Sequence, residues 1–103
     1  MNQIFDPAEV SEYLEVPDGG RILLLDRLGK SAQYSKEELS RNVFRVDKNG
    51  RVIWQVSSNF DFEGSPFTRL HTEYHALTAY RWDGGSYVID MATGVATPGV
   101  LER

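Results

Sequence analysis

The residues best suited to chemistry in this chain fall between positions 57 and 75. His71, Glu73 and His75 alternate along five positions. On an extended strand the three side chains share one face, and two imidazoles with one carboxylate suit zinc. The pattern is not the helical His-Glu-x-x-His motif, because the Glu stands at another offset and the segment reads as strand and turn around Tyr74. Surface histidines flanking a hairpin turn are the preferred reading. Metal or small-molecule binding by His71, Glu73, His75 and Tyr74 is the alternative. Ser, His and Asp are all present, yet Gly64-Ser65-Pro66 lacks the strand-turn-helix setting of a nucleophile elbow. The chain has no Cys, which removes disulfides, thiolate metal sites and a cysteine nucleophile. No catalytic residue and no cofactor is expected, and the chain reads as a non-enzyme.

A neighbouring segment is different in kind. Phe60, Asp61, Phe62 and Glu63 interleave two aromatics with two acids in a stretch, 57–66, that otherwise reads as an exposed connection. Large apolar side chains in exposed loops tend to mark binding, and acids beside them add steering towards a basic partner. In the opposing reading a Phe folds back to cap the sheet and the acids are solvated, and the same holds if Asp61 and Glu63 are taken as an acid–base pair. As a cluster, these four residues are the leading candidates for partner binding.

Charge sharpens that expectation. The chain has 103 residues and a net charge of −4, spread unevenly. Residues 1–20 hold five acids and no base, and Glu9, Glu12 and Glu15 among them form a second candidate contact surface. An acidic chain with no basic aromatic stripe does not suit nucleic acid and suits a basic-surfaced protein better. The longest apolar run, 22–25, is far short of a membrane span, and residues 1–7 show neither a basic nor an apolar leader region. The expectation is a soluble cytoplasmic single domain over 1–103.

The elements that must position these residues read mainly as β. Asp6-Pro7-Ala8-Glu9 has the form of a helix start, and Val10, Tyr13 and Leu14 then fall on one helical face, so a short N-terminal helix over 7–15 is expected. Residues 21–28 read as a strand. Residues 30–41 are weakly patterned: Ser35 and Glu38 suit one capped helical turn, and a loop fits equally. From 42 onward, strands with Asp/Gly turns follow one another, giving about six or seven strands in one twisted antiparallel sheet.

Two segments repeat one pattern. Residues 46–52 and 89–95 both run strand, Asp-led turn with Gly, strand, and the two Asp residues, Asp47 and Asp90, lie 43 positions apart. With Gly50 and Trp54 in the first copy and Thr93 and Gly94 in the second, these segments resemble the repeats of quinoprotein-type β-propellers. The second copy has Thr97 and Pro98 where an aromatic belongs. The resemblance implies blade-like hairpins and no quinone site, because two units do not close a ring. Open sheet edges also allow a homo-oligomer. In size, charge and architecture the chain is similar to small bacterial toxin-immunity proteins, which implies a binding protein that occludes a cognate toxin.

Overall fold

The computed structural model describes residues 7–59, 61, 64–73, 76–82 and 85–99. A 3-10 turn at Pro7–Glu9 leads into β1 (Val10–Glu15) and β2 (Arg21–Leu25). A single helical turn, α1 (Lys36–Ser40), precedes β3 (Val43–Val46) and β4 (Val52–Gln55). The second half contains β5 (Phe67–Glu73), β6 (Ala76–Arg81), β7 (Ser86–Ile89) and β8 (Ala96–Pro98). The protein is therefore mainly β, but its strands form two four-stranded antiparallel meanders, β1-β2-β3-β4 and β5-β6-β7-β8, in place of one sheet. No helix among the described residues is long and apolar enough to cross a membrane.

The expected N-terminal helix is replaced by β1. Its burial alternates with period two, so that Val10, Glu12 and Leu14 lie inward of Ser11, Tyr13 and Glu15. Val10 and Leu14 satisfy both a helical and a strand template, so local pattern does not decide between them. What decides is β2, whose edge needs backbone partners, and β1 supplies them from Glu15 opposite Arg21 to Val10 opposite Leu25. Tyr13, counted on the apolar face of a helix, instead stays 54% exposed with the Arg21 guanidinium 5.1 Å above its ring. Of the helix-start residues, Pro7–Glu9 form a 3-10 turn, and Asp6 lies outside the described residues.

The open question at 30–41 resolves as a capped turn. Ser35 Oγ accepts from Glu38 N at 3.2 Å, and Glu38 Oε1 accepts from Ser35 N at 2.9 Å, a reciprocal capping box on α1. This connection is tied back to the first half by Arg27. Its guanidinium donates to the Glu38 carbonyl and stacks 4.4 Å from the Tyr34 ring and 5.8 Å from that of Phe44.

One apolar core joins the two sheets. Val16, Ile22, Leu24, Val43, Trp54 and Val56 from the first half meet Phe67, Leu70, Leu77, Ala79, Tyr87, Ile89 and Ala96 from the second. Burying each large side chain contributes about 1.5–3 kcal/mol, so this shared cluster is the main cohesive force between the sheets. The twin Asp turns join the third and fourth strands of each sheet. Asp47 Oδ1 accepts from the backbone N–H of Asn49 and Arg51, and Asp90 Oδ1 from those of Ala92 and Thr93. The repeated sequence pattern thus corresponds to the same hairpin in two successive meanders.

Those hairpins also touch. The Met91 carbonyl, in the second Asp turn, accepts from Trp54 Nε1 and from Arg45 Nη1, each at 2.7 Å. Gly94 lies so close beneath the indole that a Cβ there would stand 2.6 Å from Trp54 Cε3. A parallel bridge from Ser57 to Val95 continues the contact, with Ser57 N donating to the Gly94 carbonyl and Ala96 N to that of Ser57. Asn42 links the sheets elsewhere. It is fully buried, and its amide donates to the Leu25 and Phe67 carbonyls while its Oδ1 accepts from Phe67 N.

Candidate binding site

Within the segment 57–66, Asp61 is tied into the fold. Its carboxylate is 2% exposed and accepts four hydrogen bonds. Oδ2 accepts from Arg41 Nε at 2.7 Å and from Ser58 N at 2.8 Å. Oδ1 accepts from Ser58 Oγ and from Arg81 Nη2, each at 2.8 Å. The Asp61 carbonyl accepts in turn from the buried Ser40 hydroxyl at 2.6 Å. Burial alone raises the Asp61 pKa, but the bonds from Arg41, Ser58 and Arg81 together outweigh it and hold the carboxyl below its ordinary value.

Arg81 is held as firmly. It ends β6 with its side chain 1% exposed, its guanidinium carbon 4.5 Å from the ring centres of both Phe67 and Tyr87. Those two rings meet edge to face at 5.5 Å. The cation is therefore packed against π-faces and paired with Asp61, the condition under which a buried guanidinium is tolerated. Arg41, just after α1, reaches the same carboxylate from the surface and is 37% exposed. Its hydrogen bond to Asp61 pushes the Arg41 pKa up.

The role expected of Asp61 as a presented charge is thus corrected: the carboxylate is consumed inside the fold, because two guanidiniums and Ser58 surround it. Phe60, Phe62 and Glu63 lie outside the described residues. The expected acidic helix face does not form, since its residues sit on a turn and a strand. Glu12 points inward, and its Oε1 accepts from Leu70 N of β5 at 2.9 Å, linking the sheets. Glu15 is exposed on the opposite side of β1, and Glu9 sits in the 3-10 turn. His71 is exposed on β5, Glu73 ends that strand, and Tyr74 and His75 lie outside the described residues. Among the described residues no group of three His, Cys, Asp or Glu side chains is gathered for a metal.

Arg41 and Arg81 escaped the sequence reading, although one signal was available for Arg81. Leu77, Ala79 and Arg81 share strand parity, so a strand that buries the first two must bury the third. An inward cation requires a buried acid, and a loop Asp was at hand.

Beside the loop lies a cleft of about 350 Å³, bounded by Arg41, residues 57–59 and residues 95–98. Pro98 lies on β8, an edge strand of the second sheet, where it offers no N–H to an incoming strand.

A family model described as Domain of unknown function (DUF7957) matches residues 7–98, from the 3-10 turn to the end of β8. The chain belongs to this family. No curated protein and no solved structure matches it. The DUF7957 match spans both four-stranded meanders, so the pair of sheets lies within the matched region.

Proposed function

We propose that this chain is a non-enzymatic protein-binding module, an immunity protein that binds and occludes a cognate bacterial toxin in the cytoplasm. The observation that carries the reading is the anchoring of Asp61, within the segment 57–66, by four hydrogen bonds to its carboxylate. Fixed points at Ser58 and Asp61 limit the conformational entropy lost on association, which favours affinity. On this reading Asp61 is the anchor, Phe60 and Phe62 supply apolar contact area, and Glu63 supplies charge. The net charge of −4, with Glu15 exposed on β1, suits a basic partner surface such as a site that binds phosphates.

The test is affinity capture of tagged protein from its native cells, comparing wild type with Phe60→Ala/Phe62→Ala/Glu63→Ala. Asp61 stays intact so that the loop keeps its anchor. One toxic partner retained by wild type and lost by the triple variant is the expected result. Equal retention by both removes the loop from the interface, and failure to neutralise the captured partner's toxicity removes the immunity role.

A further inference from the structure

We propose that the cleft between residues 57–59 and β8 binds a small oxyanion, the carboxylate or phosphate group of a small molecule, through Arg41. The site shares Ser58 and the Asp61 cluster with the proposed protein-binding loop, but its argument does not require a protein partner. Three observations carry it.

The first is a cationic side chain on the cleft wall of an acidic protein. Arg41 and Arg81 share the single carboxylate of Asp61. Arg81 is shut away from solvent at 1% exposure, whereas Arg41 is 37% exposed and lines the cleft. The next carboxylate on Arg41, Glu37, lies 3.9 Å from Nη2 and is 63% exposed, a pairing that water and salt readily weaken.

The second is orientation. The bond from Arg41 Nε to Asp61 Oδ2 at 2.7 Å fixes one edge of the guanidinium. The guanidinium itself is planar, and its N–H groups have the spacing that matches carboxylate and phosphate oxygens.

The third is the composition of the walls. Ser57, Ser58, Asn59 and Thr97 supply hydroxyl and amide groups, and among the described residues that line the cleft there is no Asp or Glu. Its volume of about 350 Å³ falls in the range of small-molecule pockets, roughly 300–1,000 Å³.

The test is titration of 15N-labelled protein with inorganic phosphate and, separately, with acetate, against sodium chloride at matched ionic strength. The amide signals of Ser57, Asn59 and Thr97 are expected to move saturably with one or both oxyanions and not with chloride. The tighter of the two names the ligand class, a phosphate ester or a carboxylic acid. Arg41→Gln should weaken binding at least about tenfold, the worth of one charge-assisted hydrogen bond. Because that change also touches Asp61, Thr97→Val serves as the second variant, leaving the ion-pair cluster intact and weakening binding severalfold. No movement with either anion overturns the proposal, and so does movement that both variants leave unchanged.

Discussion

Asp61 Oδ1 and Arg81 Nη2 meet at 2.8 Å with neither side chain more than 2% exposed, joining the loop 57–66 to the last residue of β6. Arg41 completes the cluster from the end of α1. Three segments separated in sequence are held by one carboxylate, and the consequences of removing it are measurable.

Asp61→Ala leaves Arg81 buried between Phe67 and Tyr87 without its acid. Breaking one side of a buried ion pair costs about 3–5 kcal/mol, a large part of the 5–15 kcal/mol that holds a small domain together. Urea denaturation of the variant should show a loss of that size. A change under about 1 kcal/mol would mean that the cluster adds little to stability. Replacing Asp61 and Arg81 together by apolar residues should recover part of the loss, since neither charge is then stranded.

The same carboxylate sets an acid limit. Its pKa in the folded state lies below the unfolded value of about 4. A group depressed by folding stabilises the native state fully above its unfolded pKa, and that contribution fades as pH falls through the folded value. Asp18, lowered by the Gly20 N–H and by Arg45, and Glu38, lowered by Ser35, act in the same direction. Thermal melts should therefore be nearly flat in this respect from pH 5 to 7 and fall below about pH 4. In Asp61→Asn that acid slope should be shallower. An equal slope in the variant would assign the acid sensitivity to other groups.

The twin turns offer an internal comparison. Gly50 and Gly94 have φ of +85° and +81°, so alanine at either costs about 1–2 kcal/mol for the left-handed backbone. At Gly50 an added Cβ meets nothing within 4 Å, whereas at Gly94 it would stand 2.6 Å from the Trp54 ring. Gly94→Ala should be the more damaging by about another 1–3 kcal/mol of overpacking, with a shift in Trp fluorescence that Gly50→Ala lacks. Equal effects from the two changes would show that the indole relaxes freely.

Asn42→Ala removes both donors and the acceptor that bind Leu25 and Phe67. Stranding buried backbone groups costs about 1–3 kcal/mol each, partly relieved if water enters. The expected outcome is a destabilised protein in which the Phe67 amide exchanges with solvent much faster than in wild type. Unchanged exchange at Phe67 would mean that another acceptor takes its proton.

Much of the second half was legible in the sequence because its determinants are local. Period-two burial in β6 and β7, and Asp/Gly turns closed by their own side chains, need only a few consecutive residues to form. The capping box at Ser35 was visible for the same reason, although its neighbours left a loop equally open. The pattern itself determined a mainly β chain, its hairpins and their repeat. Tertiary structure alone decided what depends on distant partners. Val10 and Leu14 suit a helix or a strand until β2 presents an edge to be paired. Asp61 and Glu12 read as surface acids until Arg81, 20 residues away, and the Leu70 amide, 58 residues away, claim their oxygens. Separation into two sheets follows from the same cause, since a face becomes interior only when another sheet covers it.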